Sequence, residues 1–380
     1  MEKKALRVII SGGGTGGHIF PALSIAGKLK DINPGTEILF VGAEGRMEME
    51  KVPAAGYRII GLPVAGLQRR LALSNLALPF KIARSLKMAG KIIDEFRPDI
   101  AVGVGGYASA PLLWSAANRK IPTLIQEQNG FAGLANKILG KRAGKICVAY
   151  EGMERFFPAG RIVLTGNPIR KEIVPATEQM KREALAYYGL DPGKKHIFIV
   201  GGSLGSRTLN DSVMEWVKGG CPSGEDLELI WQCGSYYKAS TDAFAAEAGD
   251  RMRFIHHYDF IKRMDLAYAA ADVVISRSGA SSVSELCVAG KAVIFVPSPN
   301  VTEDHQTHNA MALVRKGAAM LVRDADARGT LMQTACSLVA DAGRRKEMEE
   351  NILKMGRRDA ADRIAEEIYS LACQDPEKRN

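Results

Sequence analysis

Several short runs along this chain combine glycine with side chains that can bond to phosphate or sugar. The first is Gly12-Gly13-Gly14-Thr15-Gly16-Gly17-His18, set between an apolar run and a helix-like stretch holding Pro21. Glycine lets backbone N–H groups approach a phosphate or an acceptor closely, and a helix start adds a positive dipole end. A plain tight turn is the alternative reading, but five glycines within Gly12–Gly17 cost more chain entropy than such a turn requires. A nicotinamide dinucleotide site would want an acid at the end of the second strand, about 20 residues on. Phe40-Val41-Gly42-Ala43-Glu44 offers one only after a glycine, which weighs against that cofactor.

Gly201-Gly202-Ser203-Leu204-Gly205-Ser206 repeats the geometry, with Ser203 able to donate to a phosphate. Ser276-Arg277-Ser278-Gly279-Ala280-Ser281-Ser282 opens a further helix. Two such turns on neighbouring strands make a pocket for a diphosphate. Glu285, further into that helix, could accept both hydroxyls of a ribose or serve as an N-terminal helix charge worth ~0.3–1 kcal/mol. Spacing does not choose between them. Pro297-Ser298-Pro299 and Glu303-Asp304-His305-Gln306-Thr307-His308-Asn309 form a polar loop entering a helix. Amides such as Gln306 and Asn309 suit sugar hydroxyls because they both donate and accept. His305 and His308 lack a third ligand elsewhere, so no metal is expected. Gly103-Val104-Gly105-Gly106-Tyr107 and Glu127-Gln128-Asn129-Gly130 follow strands of the first half and belong beside His18; Asn129 could equally be a turn residue.

The elements that must position these runs alternate. Short Val- and Ile-rich strands are expected at Leu6–Ile10, Ile38–Val41, Ile100–Val104, Pro122–Ile125, Lys145–Val148 and Ile162–Leu164, with helices such as Pro21–Lys30 and Asn75–Phe96 between them. The pattern restarts after Gly166-Asn167-Pro168, with strands at His196–Val200, Leu227–Gln232, Met252–Ile255, Asp272–Ile275 and Ala292–Val296. Each half predicts a parallel sheet covered on both faces. At 380 residues the chain exceeds what one core usually serves. The expectation is an α/β protein of two Rossmann-like, doubly wound domains facing across a cleft: residues 1–166, then 167–345, with a C-terminal helix over about 346–372 packing back on the first.

Composition narrows the partners. Lys and Arg number 51 against 42 Asp and Glu, an excess that favours an anionic partner. No aromatic platform or recognised motif points to nucleic acid. The six scattered cysteines read as reduced thiols. The five-residue apolar run near the N-terminus reads as a first strand, too short for a signal sequence, and no window suits a membrane-spanning helix. A cytoplasmic protein with peripheral membrane contact is expected.

Taken together, SGGGTGGHIFPAL, GVGGYASAP, EQNGFAGLANK, TGNPIR, GGSLGSRTLN, SRSGASSVSEL and HQTHNA resemble the MurG family of N-acetylglucosaminyltransferases over almost the whole chain. The resemblance implies the GT-B fold and transfer from UDP-N-acetylglucosamine to undecaprenyl-diphosphoryl-N-acetylmuramyl-pentapeptide, forming a β1→4 linkage with inversion and no cofactor. It also implies a place at the cytoplasmic face of the cell membrane, beside other cell-wall synthesis proteins. Donor contacts implied by it fall on Thr15, Gly16, Gly17, Asn129, Arg170, Ser203, the Ile261 backbone, Glu285 on the ribose and Gln306 on the sugar. A guanidinium at Arg170 suits the diphosphate. Two departures stand out: the family loop commonly has Gln where this chain has Leu204, and a first glutamine where it has His305. The reaction needs a base for the acceptor 4-hydroxyl. His18 can serve as that base or only hydrogen-bond its loop or the acceptor diphosphate, and Glu127 is a second candidate.

A membrane face is suggested by Leu67-Gln68-Arg69-Arg70-Leu71-Ala72-Leu73 and by the helix Asn75–Lys91, joined by Lys137, Lys141, Arg142 and Lys145. The competing reading is an amphipathic cover on the first sheet. Other readings are a different GT-B transferase with a lipid acceptor, a UDP-sugar epimerase, a nicotinamide oxidoreductase, or a nucleotide-sugar sensor that binds without releasing UDP.

Overall fold

The computed structural model describes residues 3–64, 78–221, 226–301 and 304–374. It divides into two compact units, Met1–Ile169 with Arg358–Asn380, and Arg170–Arg357. The expected basic run Leu67–Leu73 and residue Glu303 lie outside the described residues.

Unit 1 carries β1 (Arg7–Ser11), β2 (Glu37–Ala43), β3 (Arg58–Leu62), β4 (Ile100–Gly103), β5 (Thr123–Glu127), β6 (Lys145–Val148) and β7 (Ile162–Leu164). They form one parallel sheet in the order β3-β2-β1-β4-β5-β6-β7. Successive side chains alternate between faces. Val8, Ile10, Phe40, Val102 and Leu124 join a core with the helices Gly16–Ile32 and Ala360–Ala372. Ile9, Val41, Ala101 and Ile125 join another with the helices Leu78–Phe96 and Ser109–Asn118. Burial on both faces is why the strands read as continuous apolar runs.

Unit 2 repeats the plan with β8 (Lys195–Val200), β9 (Leu227–Gln232), β10 (Ile255–Tyr258), β11 (Val273–Ser276), β12 (Val293–Phe295) and β13 (Met320–Leu321), in the order β10-β9-β8-β11-β12-β13. Strand order reverses between β1 and β4 and again between β8 and β11. Ligands of open α/β sheets bind at the carboxyl ends of strands flanking such a point. The loops that follow these four strands are the glycine-bearing runs from which the functional reading began.

Five elements depart from expectation. The edge strands β3 and β13 were not anticipated, and β10 starts at Ile255 because Gly249–Met252 forms a 3₁₀ turn. The first helix begins at Gly16, so Pro21 lies inside it. The single C-terminal helix expected over about 346–372 is two helices. Ala342–Leu353 packs on the helices Ala280–Ala289 and Ala327–Ala340 of unit 2, while Ala360–Ala372 packs on Gly16–Ile32 of unit 1. The break holds Gly356, where a Cβ would lie 2.9 Å from the Cys287 carbonyl oxygen.

At the start of β8, His196 is 1% exposed and its Nε2 lies 3.1 Å from the Asp191 carbonyl. Burial holds its imidazole below the ordinary value, against opposing attraction from Asp272 and Glu228, with Lys181 adding to the depression. A depressed histidine binds its proton more readily in the unfolded chain. Stability is therefore full above the unfolded pKa of about 6.5 and falls as pH drops toward the folded value. Urea unfolding of His196→Gln between pH 7 and 5 should show a shallower loss of stability than wild type. Equal slopes would remove His196 from that account.

Candidate active site

The loop after β1 has few side chains of its own, and neighbours hold its shape. Val104 N donates to Ser11 O at 2.7 Å, and Gly13 N to Gly105 O at 3.3 Å. Ser109 Oγ bridges the two loops, 2.8 Å from Gly105 O and 3.0 Å from Ser11 O. Gly106 sits at φ 91°, and a Cβ there would come within 2.4 Å of Gly13 O. Thr15 takes an extended N-cap conformation without capping through its side chain, and the first turn has no acid. The first-turn N–H groups, Gly16 and Gly17 among them, are oriented as anion donors.

His18 lies in that first turn, half-buried, and its Nδ1 is 2.9 Å from Gly13 O and 3.3 Å from Thr15 Oγ1. A carbonyl only accepts, so Nδ1 carries the proton in the neutral ring and Nε2 holds the lone pair. The ring edge passes over Gly105, whose Cβ, if present, would meet Nε2 at 2.8 Å. Thr15 and His18 are thus brought together, and the loop after β4 backs them.

Glu127, expected as a second base, bonds through both carboxylate oxygens to the segment that follows it. It is 2% exposed, and its Oε1 accepts from Asn129 N at 3.1 Å and Asn129 Nδ2 at 3.4 Å. Its Oε2 accepts from Gly133 N at 3.2 Å and Asn136 Nδ2 at 2.9 Å. Both oxygens bind the loop that carries Asn129. Beneath it, buried Gln126, Gln128 and Asn167 bond to one another, and Gln128 Nε2 reaches Val104 O at 2.7 Å. The Asn129 loop and the β4 loop are therefore joined, with Asn129 near the end of β5.

In unit 2 the organising residue is Arg277, which the sequence reading passed over. Its Nη2 donates to Ser206 Oγ at 2.7 Å, and its Nη1 to Val296 O at 2.9 Å, Pro297 O at 3.2 Å and Asp324 Oδ1 at 2.5 Å. One guanidinium thus ties the loops after β8, β11 and β12. Ser203 lies exposed in the first of these, its carbonyl accepting from Ser235 N at 3.2 Å. Leu204 beside it is 67% exposed. Gln232 Nε2 donates to Gly202 O at 2.8 Å and Asp259 O at 3.2 Å, joining the Ser203 loop to the segment that holds buried Ile261. Ser278 Oγ donates to Gln306 O at 2.9 Å, and Gln306 Oε1 accepts from Ser298 N at 2.9 Å. That leaves the Gln306 Nε2 as the donor end of the amide.

Arg170 and Glu285, expected on different parts of one ligand, are bonded to each other. Arg170 Nε lies 2.8 Å from Glu285 Oε1, and Nη2 lies 3.2 Å from Oε2. Buried Tyr268 donates its hydroxyl to Oε2 at 3.2 Å. Burial works to lower the guanidinium pKa, but the Glu285 charge and hydrogen bonds outweigh it and raise the value above the ordinary one. Burial, then the Glu285 charge, push the Tyr268 phenol well above its usual range.

Residues 8–148 match the glycosyltransferase family 28 N-terminal domain, and residues 196–364 match the family 28 C-terminal domain. The chain belongs to glycosyltransferase family 28. A Parabacteroides distasonis protein named UDP-N-acetylglucosamine–N-acetylmuramyl-(pentapeptide) pyrophosphoryl-undecaprenol N-acetylglucosamine transferase is 56% identical over 96% of this chain and 98% of its own. A Bacteroides thetaiotaomicron protein of the same name is 52% identical over 98% of this chain and 99% of its own. The crystal structure of Acinetobacter baumannii MurG superposes with a TM-score of 0.78 at 27% identity, covering 96% of this chain and 99% of that one. A UDP-N-acetylglucosamine 2-epimerase shares the fold alone, at 15% identity and a TM-score of 0.65. The two Rossmann-like domains of this family 28 chain are those of the GT-B fold.

Sequence reasoning missed Glu48, Ser109, Tyr268 and Arg277. Glu48, Ser109 and Tyr268 are buried and Arg277 partly so, and only Glu48 has a local signal: an acid opening the helix Glu48–Ala54 just after a strand ending in Gly42-Ala43.

The contact between loops supplies a test. Gly106→Ala should lower both the unfolding temperature and turnover, because backbone fills the space its Cβ needs. Gly14 has a similar φ of 85°, yet a Cβ there meets nothing within 4 Å. Gly14→Ala should cost only the conformational strain, about 1–2 kcal/mol. Equal effects of the two substitutions would contradict the close approach as the constraint.

Proposed function

We propose that this family 28 chain transfers N-acetylglucosamine from UDP-N-acetylglucosamine to the 4-hydroxyl of undecaprenyl-diphosphoryl-N-acetylmuramyl-pentapeptide. The observation that carries the proposal is near-full-length identity, 56% with a transferase of that name, in a chain whose phosphate-type loops sit at both topological switch points. The transfer is a single displacement. The acceptor oxygen forms its bond to the sugar C1 as the bond from C1 to the β-phosphate oxygen breaks. UDP leaves with that electron pair, and the 4-hydroxyl proton passes to His18 Nε2. Inversion at C1 follows.

Unit 2 is assigned the donor. The loop of Ser203 and the uncapped start of the helix Ala280–Ala289 offer N–H and hydroxyl donors for the diphosphate, where leaving-group charge develops. Glu285 retains acceptor capacity for the ribose, since a carboxylate has about four lone-pair sites and Arg170 and Tyr268 use three. Arg170 is assigned to answer the diphosphate charge, Gln306 Nε2 to donate to the sugar, and the Ile261 backbone to contact the donor. Unit 1 is assigned the acceptor side and the proton, and its Thr15, Gly16, Gly17 and Asn129 are assigned as further contacts to the donor. Glu127 is assigned to loop positioning and not to proton transfer.

A membrane-facing surface on unit 1 belongs to the same proposal. The core face of the helix Leu78–Phe96 is Ser85, Ala89, Ile92 and Ile93. Phe80 and Ile82 lie outside that stripe, 81% and 49% exposed, among exposed Lys81, Arg84 and Lys87. Leu134 and Ile138 are exposed on the helix Leu134–Gly140, and Arg142 stacks on half-exposed Trp114 at 4.7 Å. Among the described residues no helix is long and apolar enough to cross a membrane. Apolar side chains ringed by basic ones suit reversible docking on an anionic leaflet.

Two measurements test these assignments. UDP release from UDP-N-acetylglucosamine should depend on the lipid-linked muramyl acceptor, and His18→Ala should lower kcat ~10²–10⁴-fold with donor affinity little changed. Acceptor-independent release, or near-normal kcat in the variant, would overturn the reaction or the base. Separately, Phe80→Ser with Lys81→Glu and Arg84→Glu should release the protein from anionic vesicles while leaving turnover on a water-soluble acceptor intact, at ~1 kcal/mol per lost basic residue. Undiminished co-sedimentation would return this helix to a plain cover on the sheet.

A further inference from the structure

Glu48 opens the helix Glu48–Ala54 and is 1% exposed. Its carboxylate reaches back under the loop after β1. Oε2 accepts from Gly14 N at 2.8 Å, and Oε1 accepts from Ala43 N at 3.0 Å. The space it fills exists because two neighbours have no side chain. A Cβ on Gly13 would fall within 2.1 Å of Glu48 Oε1, and a Cβ on Gly42 within 2.6 Å of its Cγ. Among the described residues Glu48 makes no ion pair, and both its oxygens act as acceptors.

The Gly14 N–H and the Gly13 C=O are opposite ends of one peptide group. That same Gly13 oxygen accepts from His18 Nδ1 at 2.9 Å. Carboxylate, peptide and imidazole therefore form one hydrogen-bonded chain: Glu48 Oε2, then H–N of Gly14 and C=O of Gly13, then H–Nδ1 of His18. Resonance couples the two ends of a peptide group. A carboxylate drawing on the N–H leaves more negative charge on the carbonyl oxygen, and consecutive hydrogen bonds polarise one another in a buried setting. A carboxylate bonded directly to histidine Nδ1–H fixes the tautomer and stabilises the imidazolium that forms. Here a peptide group stands between them.

We propose that Glu48 is a positioning residue that orients His18 and strengthens Nε2 as a base through the Gly13–Gly14 peptide. It rests on the assignment of His18 as the proton acceptor. The proton taken from the acceptor hydroxyl stays on Nε2; none moves along the chain to Glu48. Other acids nearby on this part of the chain point elsewhere. Glu44 packs under Gly61, and Glu50 pairs with Lys51 at 3.2 Å. The loop after β4 meets the ring with the uncharged backbone of Gly105.

Glu48→Gln keeps the size of the side chain and removes its charge. In the full-length enzyme, the acid limb of the kcat–pH profile should move to lower pH by on the order of one unit, the low end of what an adjacent opposite charge does. The plateau should fall as well, while the donor KM changes little. A purely structural role would lower the plateau or raise KM without moving the limb, and that result would overturn the proposal. Should the variant fail to fold, the wild-type protein decides. With ¹⁵N-labelled histidine and glycine, His18 should be the Nδ1–H tautomer, and the Gly14 amide proton should shift as His18 titrates. That shift should vanish in His18→Gln. An Nε2–H tautomer, or a Gly14 amide indifferent to His18, would sink the relay. If His18→Ala keeps its turnover, the base assignment fails while this spectroscopic coupling still stands, so the two failures are separable.

Discussion

A loop made almost wholly of glycine cannot hold its own shape. It has no side chains to pack, and each glycine loses more conformational freedom on folding than any other residue. The loop after β1 must therefore be clamped from outside, and the unit is arranged to do so. The β4 loop closes on it through Gly106 and Ser109, and Glu48 enters from beneath to take the Gly14 N–H. Such a clamp gives backbone donors fixed directions before any ligand arrives. Preorganised donors need not reorient as charge develops, and this is where much electrostatic stabilisation of a leaving group or oxyanion arises.

Unit 2 meets the same constraint with different chemistry. Its loops carry more serine and less glycine, and a guanidinium, not a carboxylate, gathers them. Arg277 takes carbonyls from the end of β12, the Ser206 cap and the Asp324 carboxylate, while Thr208 bonds to the other oxygen of Asp324 at 3.0 Å. Arg is suited to this because its fork of donors is rigid and always charged. The Arg170–Glu285–Tyr268 cluster keeps a buried carboxylate paired. An unpaired one would be costly, and replacing either partner alone would expose that cost.

How much of this was legible in the sequence follows from the range of the forces involved. Strands buried on both faces leave a run of Val and Ile that needs no context, so β1, β4 and β8 are evident, as are the loops at their ends. Edge strands leave a weaker trace: β3 reads RIIGL with mostly half-buried positions, and β13 is two residues. β10 reads IHHY, and its histidines obscure the strand, so the apolar pattern ends at Ile255. At the site, the residues proposed to touch a ligand lie in motifs and are found by likeness to a family. Residues that hold those motifs could not. Glu127 looked like a base because an acid beside a polar loop has no other visible task, and only the positions of Gly133 and Asn136 reveal what it binds. Glu48 lies 30 residues from His18 in the chain, and no spacing rule connects them.

In the proposed reaction, one displacement at the sugar C1, with His18 taking the proton, accounts for the chemistry of both units. The anomeric configuration of the product tests it most directly. Incubation of the full-length protein with UDP-N-acetylglucosamine, whose sugar is α-linked, and a water-soluble muramyl acceptor should give a disaccharide whose new anomeric proton shows the large ¹H coupling of a β linkage. An α-linked product would require retention, hence a second displacement or a front-side path, and would contradict the account.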